Sequence, residues 1–313
     1  MDKFLFLSVT LFCVTKISSS YAEEANISRN TLPASENQFP YMVSLQRLSE
    51  VHLNPNRGHS CGGALITLQH ALTAASCIIV YDPNSKEYVP INRDEYRVFA
   101  GSVTLTNFGT QDQIRRIANT VAHPQFSVLW DVNDIGVIVL GTPFSSNTVG
   151  VITVRDIGTA ENVQPCSGMG WGGGTELMHA PMRALSQSTC NGLTMVLPNM
   201  VCAMPEPISY GCPGDRGSPL VCSDGLVGIL PTSDTCPIPP PMYVRVSSFT
   251  TWIDSVLALA IPELGPEPST PAPAPTTPVT TTPTPGAGSV FQPGMILLAV
   301  IGVVQFFAVR FVC

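Results

Sequence analysis

The sequence is poor in charge, and positive charge is the scarcer sign. Only 12% of its 313 residues are charged, and 15 lysines and arginines stand against 22 aspartates and glutamates, a formal net charge of -7. A protein that binds the phosphate backbone of a nucleic acid needs a concentrated positive surface. The composition therefore argues against a nucleic-acid partner.

The chain also lacks an internal repeat, and helical periodicity is confined to one segment. Short β-rich runs fill residues 40–260, and glycine, proline, asparagine and aspartate separate them. Tyr41 to Leu45, Tyr96 to Ala100 and Ile135 to Leu140 are examples. Helical spacing of apolar residues occurs only at Phe249 to Ala260, with Ser248 as the N-terminal cap. The pattern predicts an all-β domain that ends in one helix.

No apolar run reaches the roughly 20 residues that a helix needs to cross a bilayer. The C-terminal run Met295 to Val309 has 15 residues and follows the small residues Gly286, Gly288 and Ser289. Small residues, a spacer and an apolar end are typical of a glycosylphosphatidylinositol attachment signal. We therefore expect an anchor signal at 290–313, with those three residues as attachment candidates. A transmembrane anchor that continues to Cys313 is the alternative.

Both ends of the chain have the composition of processing or linker segments. Residues 1–22 hold a short apolar core followed by Ser20-Tyr21-Ala22, which predicts a signal peptide. Residues 23–29 form a short segment that includes the N-glycosylation acceptor Asn26. Residues 262–289 are rich in proline and threonine and predict an extended stalk. The protein is thus expected at the outer face of the plasma membrane, with one folded domain at residues 30–261.

Cysteine, in contrast, is plentiful. Ten cysteines are present, and loss of both terminal segments would remove Cys13 and Cys313 and leave eight. An even number of cysteines in a secreted chain predicts disulfide bonds.

Several separated segments carry one resemblance. They read Phe39-Pro40-Tyr41-Met42-Val43-Ser44-Leu45-Gln46, His59-Ser60-Cys61-Gly62-Gly63-Ala64-Leu65-Ile66, Leu72-Thr73-Ala74-Ala75-Ser76-Cys77, Asn133-Asp134-Ile135 and Gly211 to Cys222. In this order they resemble the trypsin-like serine proteases over about residues 30–260. The resemblance implies an all-β fold of two six-stranded antiparallel Greek-key barrels packed together, with a C-terminal helix and an active site between the barrels.

The same resemblance implies a disulfide pattern and argues against a metal site. The implied pairs are Cys61 with Cys77, Cys166 with Cys222, Cys190 with Cys202, and Cys212 with Cys236. The family's calcium loop has an acidic residue after the glycine that matches Gly101, and Ser102 stands there instead. We expect neither a metal nor a cofactor.

The positions that match the family's catalytic triad have lost their chemistry. Acyl transfer needs a hydroxyl nucleophile, an imidazole base and a carboxylate that orients the imidazole. Ser76 stands where the histidine is implied and Arg216 where the nucleophile is implied, while Asp134 keeps the carboxylate. A guanidinium stays protonated and cannot attack a carbonyl. Ser218, two residues later, is a less suitable nucleophile because its hydroxyl would point from a different place on the turn.

Other positions of the site are also altered. The oxyanion loop maps to Gly214 and Arg216, and Tyr210 occupies the specificity-pocket position where trypsins have an aspartate. No histidine replaces the missing base: His52, His123 and His179 fall in predicted loops and are expected at the surface.

Two carboxylates then need compensation, because a buried charge without a partner is costly. We hypothesise a zymogen-like buried cluster of Asp215 with His59 and Ser44, since a cleaved N-terminus after Arg29 would begin with the polar Asn30. For Asp134, either Ser76 donates to it or Arg216 reaches across the space that the imidazole would fill.

The favoured function is a catalytically inactive serine protease homologue that binds an unidentified extracellular protein, as a cofactor or decoy in a protease system. The first alternative is a serine-type endopeptidase with a rearranged active site. The second alternative is a structural surface glycoprotein.

Overall fold

A computed structural model describes residues 31–54, 56–106, 113–130, 132–147, 149–158, 163–172, 174–193, 196–206, 215–231 and 240–265. The chain divides into one unit at residues 1–266 and a second at residues 267–313. The described residues all belong to the first unit. The predicted signal peptide, the 23–29 segment, most of the stalk and the anchor signal lie outside the described residues.

Strands dominate the described residues. In chain order they are β1 (Leu32–Pro33), β2 (Met42–Arg47), β3 (His59–Thr67), β4 (His70–Thr73), β5 (Ile79–Asp82), β6 (Glu87–Pro90), β7 (Tyr96–Ala100), β8 (Gln113–Ala122), β9 (Gly136–Leu140), β10 (Val163–Gly170), β11 (Met178–Ala184), β12 (Met200–Pro205), β13 (Pro219–Cys222), β14 (Gly225–Ile229) and β15 (Met242–Arg245).

The strands form two closed antiparallel barrels. The first has the order β2-β3-β4-β9-β8-β7 and closes through the β2–β7 pairing. The second has the order β11-β10-β13-β14-β15-β12 and closes through the β11–β12 pairing. Strand β1 adds to the outside of β11, and β5 pairs with β6 in a separate hairpin. The predicted fold of two six-stranded barrels is confirmed.

A continuous hydrophobic core joins the barrels. Leu45, Leu65 and Phe99 are fully buried in the first barrel, and the same cluster extends to Ile229 and Val244 of the second. Burial of each such side chain contributes about 1.5–3 kcal/mol. The site residues lie in connections at the boundary between the barrels, so this shared core supports them from both barrels.

Two α-helices are present in the described part of the chain, and the sequence predicted only one. Helix α1 (Gln187–Leu193) has no apolar periodicity, and its start is fixed locally: Ser186 Oγ accepts from Thr189 N at 3.2 Å. Helix α2 (Thr250–Leu257) follows a 3-10 turn at Val246–Phe249. Because that turn occupies Ser248, Phe249 is the N-terminal cap residue and no side chain caps the helix. These helices are too short to span a membrane.

The described residues contain three disulfides: Cys61–Cys77, Cys166–Cys222 and Cys190–Cys202. Cys166 and Cys222 face each other in the β10–β13 register, so their bond ties two neighbouring strands. The predicted Cys212–Cys236 pair lies outside the described residues. Disulfides form in oxidising compartments, which agrees with an extracellular protein.

The C-terminal end of the described residues is attached to the first barrel. The side chain of Leu264 packs on Gly141, next to the end of β9, at a place where a Cβ on residue 141 would collide with it. Arg116 Nη1 in β8 donates to the carbonyl oxygen of Gly265 at 3.0 Å. The first residues of the predicted stalk therefore contact the barrel before the described chain ends.

Candidate functional site

Ser76 and Asp134 meet at the end of the first barrel. Ser76 lies in the 3-10 turn Ala75–Cys77 after β4, and the Cys61–Cys77 disulfide fixes that turn to β3. Asp134 is fully buried just before β9. The backbone N of Ser76 donates to Asp134 Oδ1 at 2.7 Å, and Ser76 Oγ donates to Oδ2 at 2.8 Å. Both carboxylate oxygens thus accept a hydrogen bond from the residue at the histidine position.

Arg216 approaches the same turn from the loop before β13. Its Nη1 donates to the carbonyl oxygen of Ser76 at 3.4 Å. Its own carbonyl oxygen accepts from Gly62 N at 2.9 Å, which ties the loop to β3. This geometry matches the hypothesis that Ser76 donates to Asp134. The guanidinium of Arg216 donates instead to the backbone of Ser76.

Gly217 determines the shape of this loop. Its φ of +84° is in the left-handed region, where residues with a Cβ are strained. A Cβ at Gly217 would also collide with Thr73 Oγ1 and the carbonyl oxygen of Gly62. Thr73 Oγ1 donates to that carbonyl at 2.8 Å, so neither group is free to move away. The position requires glycine for both reasons.

Ser218 faces the protein interior. Only 1% of its surface is exposed, and its Oγ lies 3.2 Å from Asp215 N, from which it accepts. A Cβ on Gly62 would meet this hydroxyl, so the oxygen packs directly on β3. The hydroxyl is part of the loop's internal hydrogen bonding.

Asp215 lies in the predicted buried cluster. Its Oδ2 is 2.9 Å from His59 Nε2, although the ring N–H does not point along that line. Ser44 Oγ is 2.7 Å from His59 Nδ1, and the backbone N of Trp171 donates to Asp215 Oδ2 at 2.7 Å. The side chains of His59 and Asp215 are 3% and 10% exposed. The structure thus brings Asp215, His59 and Ser44 together, with Trp171 as a fourth member.

The remaining histidines have separate environments. His70 is buried in β4 with Nδ1 2.8 Å from Thr67 Oγ1, and burial lowers its pKa. His123 packs between the rings of Phe249 and Trp252, and burial lowers its pKa too. His179 is half-buried within β11, so the prediction that it lies in a surface loop is wrong. It packs against the ring of Phe39. The sequence around it lacks the clear alternation of apolar and polar residues that indicates a strand.

Several predicted site residues lie outside the described residues: Tyr210, Gly214, Cys212, Cys236, Asn26, Gly286, Gly288 and Ser289. Within the described ranges, no three His, Cys, Asp or Glu side chains are grouped as metal ligands.

Two contributors to the site escaped the sequence reasoning. The backbone N–H of Trp171 donates to Asp215 Oδ2, and the Thr73 hydroxyl donates to the Gly62 carbonyl, next to Gly217. A backbone donor has no side-chain signature, so the sequence offers no signal for Trp171. Thr73 lies in the quoted Leu72-Thr73-Ala74-Ala75 segment, but its partner is a carbonyl in another strand.

Replacement of Ser76 by Ala should destabilise the domain by about 1.5–3 kcal/mol, since it removes a hydrogen bond to a buried carboxylate. The matched control is Ser247→Ala, because Ser247 Oγ donates to Asp156 Oδ1 at 3.1 Å on the exposed surface. That variant should change stability by no more than about 0.5 kcal/mol. Urea denaturation measures both. Equal losses of stability in the two variants would show that the Ser76–Asp134 hydrogen bond stabilises the domain no more than an exposed one does.

Comparisons with known proteins agree on one family. The Trypsin family model matches residues 29–253. Chymotrypsin-C of Rattus norvegicus is 31% identical over 246 residues, which cover 71% of this chain and 86% of that protein. Anionic trypsin of Canis lupus familiaris is 30% identical over 238 residues, with the same coverages. Urokinase-type plasminogen activator of Gallus gallus is 31% identical over 224 residues, 62% of this chain and 50% of that protein.

A solved structure gives the same result for the fold. Human heparin binding protein superposes with a TM-score of 0.60 at 25% identity, over 76% of this chain and 99% of that chain.

Proposed function

This chain belongs to the trypsin family of serine proteases, and on that premise we propose that it is a catalytically inactive member. It acts at the outer face of the plasma membrane by binding another extracellular protein, as a cofactor or decoy in a protease system.

The observation that carries the proposal is the pair of hydrogen bonds between Ser76 and Asp134. In a working triad the carboxylate orients an imidazole, and the imidazole takes the proton of the nucleophile. Here both oxygens of the carboxylate hold Ser76, which has no group that accepts a proton at neutral pH. The carboxylate therefore has a structural role.

The nucleophile position supports the same proposal. Arg216 offers a cation where a hydroxyl is needed, and the nearest serine in sequence, Ser218, is buried with its Oγ engaged to Asp215 N. A rearranged protease that used Ser218 would have to expose this hydroxyl and find a base for it. His59, which lies against Asp215 of this loop, is unsuited to that role, since its side chain is 3% exposed and its Nδ1 is hydrogen-bonded to Ser44 Oγ.

The location at the cell surface is supported by the chain ends and the disulfides. The sequence pattern at residues 1–22 favours secretion, and the pattern at residues 290–313 favours a glycosylphosphatidylinositol anchor. Disulfides persist outside the cytosol, and the part of the chain that the structure describes has three. A tethered, inactive domain leaves binding as its means of action.

A fluorophosphonate probe tests the loss of catalysis, because it labels serines that a neighbouring base has activated. The full-length protein, purified in detergent, should remain unlabelled under conditions that fully label an active trypsin. The Ser218→Ala and Ser76→Ala variants are the matched controls. Labelling of the protein that disappears in either variant would establish an active serine and overturn the proposal.

Proximity labelling on intact cells tests the binding role. A promiscuous biotin ligase fused to the N-terminus of the mature protein should mark the same extracellular protein in independent experiments. Recovery of no consistent protein would favour the structural glycoprotein instead.

A further inference from the structure

The guanidinium of Arg216 is only weakly engaged within the protein. Nη1 has one long hydrogen bond, 3.4 Å, to the neutral carbonyl of Ser76. Nε is buried and has no hydrogen-bond partner, and no described carboxylate forms an ion pair with this side chain. A buried donor without an acceptor costs about 1–3 kcal/mol. The guanidinium thus has hydrogen-bonding capacity that no described group of the protein fills.

Two described carboxylates near this loop, Asp134 and Asp215, already have hydrogen-bond donors of their own. Asp134 lies beneath Ser76 and accepts from its N and Oγ, at 2.7 and 2.8 Å. Asp215 accepts from Trp171 N and lies against His59. Asp134 is fully buried, whereas Arg216 is only half-buried. A ligand that enters from solvent therefore meets the arginine before the fully buried Asp134, and the side chain of Asp215 is only 10% exposed.

The loop that carries Arg216 is rigidly held. Gly62 N donates to the Arg216 carbonyl at 2.9 Å, and Gly217 N donates to the Leu230 carbonyl at 2.8 Å. Ser218 N donates to the Asp215 carbonyl at 2.9 Å. A residue fixed in this way loses little backbone entropy when it binds a ligand, which favours affinity.

From these observations we infer that Arg216 is an anion receptor that binds a carboxylate of a peptide. The inference rests on the proposed function, because it names the chemistry by which the inactive domain recognises its protein partner. A guanidinium matches a carboxylate through two parallel hydrogen bonds. A monoanion suits the site better than a phosphate dianion, because the charges of Asp134 and Asp215 lie close behind the arginine and repel a second negative charge more strongly.

The carboxylate has two sources in a protein: the C-terminus and the side chains of Asp and Glu. Three peptides separate them. They are acetyl-tetra-alanine with a free C-terminus, acetyl-Ala-Ala-Glu-Ala with an amidated C-terminus, and acetyl-tetra-alanine with an amidated C-terminus. Peptide-observed NMR titration against the full-length protein in detergent measures each Kd. At least one carboxylate peptide should bind about tenfold or more tightly than the uncharged peptide, and added salt should reduce that preference.

Variants of the arginine locate the effect. Arg216→Gln should abolish the preference, and Arg216→Lys should keep a weaker one because it retains the charge and loses the planar fork. Arg47→Gln is the matched control: Arg47 is an exposed arginine 3.5 Å from Glu50, and its loss should leave all three Kd values unchanged. Thermal melting of each variant checks that it is folded, and Arg216→Lys carries the test if Arg216→Gln does not fold.

Two results would overturn the inference: equal or undetectable binding of the three peptides, or a preference that survives in Arg216→Gln. The same preparations are treated with the fluorophosphonate probe. Labelling would refute the proposed function whatever the peptides do, whereas unlabelled protein with no carboxylate preference refutes only the role of Arg216.

Discussion

Replacement of Asp215 by Ala is expected to lower the free energy of unfolding by about 3 kcal/mol. The substitution removes the acceptor of the Trp171 N–H, at 2.7 Å, and leaves His59 buried without the carboxylate at 2.9 Å. For a domain of this size, such a loss lowers the melting temperature by roughly 6–12 °C. Differential scanning calorimetry of the secreted protein measures the shift.

The control is an aspartate that makes no buried contact. Asp254 is exposed in helix α2, and Asp254→Ala should change stability by about 0.5 kcal/mol or less. A melting-temperature shift of similar size in both variants would mean that the contacts of Asp215 in the buried cluster add nothing to the stability of the domain.

A double-substitution cycle with His59→Ala separates two arrangements of Asp215. If Asp215 pairs with His59, the two single losses should add up to about 1 kcal/mol or more above the loss of the double variant, because each single variant leaves the other partner buried without its contact. If a cleaved N-terminus instead compensates Asp215, His59→Ala should have little effect and the two losses should add. Additive losses would therefore argue against the zymogen-like cluster.

Replacement of Gly217 by Ala is expected to be comparably damaging, at about 2–5 kcal/mol. The left-handed φ of +84° accounts for about 1–2 kcal/mol for a residue with a Cβ. Overpacking against Thr73 Oγ1 and the Gly62 carbonyl adds about 1–3 kcal/mol, since both atoms are held in a hydrogen bond. Urea denaturation and the yield of secreted protein measure the loss.

Gly172 offers a matched comparison, because it has a φ of +59° and open space around the position of a Cβ. Gly172→Ala should therefore show the conformational cost alone, about 1–2 kcal/mol. The difference between the two variants isolates the steric contribution at the Arg216 loop. If both variants lost the same stability, Thr73 and the Gly62 carbonyl would have to move aside more easily than their hydrogen bond indicates.

The sequence predicted the fold because the resemblance is carried by residues that sit at fixed structural places. Gly62 and Gly217 lie where strand β3 and the loop touch, and Cys61 and Cys77 hold the turn that carries Ser76. Such positions tolerate few residue types, so they mark the architecture in the sequence. Strand bounds were less accurate: β2 runs over Met42–Arg47, two residues past the predicted run Tyr41 to Leu45, because pairing with β7 continues beyond the apolar residues.

The contacts of the site were predictable only in part. The resemblance matched Ser76 and Asp134 to neighbouring positions of the site, and a bond between them was one of two hypotheses, because a buried carboxylate needs a compensating donor. The sequence did not indicate that Arg216 would turn to the Ser76 carbonyl or that Trp171 N would support Asp215. Those partners are backbone atoms, and their positions depend on the packing of distant strands. Helix α1 was missed for a related reason, since serine hydroxyls and a disulfide fix it instead of an apolar face.

The attachment of the chain end to the first barrel also decides how the domain responds to tension. A pull on the chain beyond Gly265 loads first the hydrogen bond from Arg116 Nη1 to Gly265 and the contact of Leu264 with Gly141. These contacts peel away one after the other under a small force, whereas the paired strands of a closed barrel must shear together. In the surface-anchored protein that we propose, the four residues Pro262 to Gly265 are therefore expected to detach before force reaches helix α2, and the Arg216 loop is expected to keep its shape.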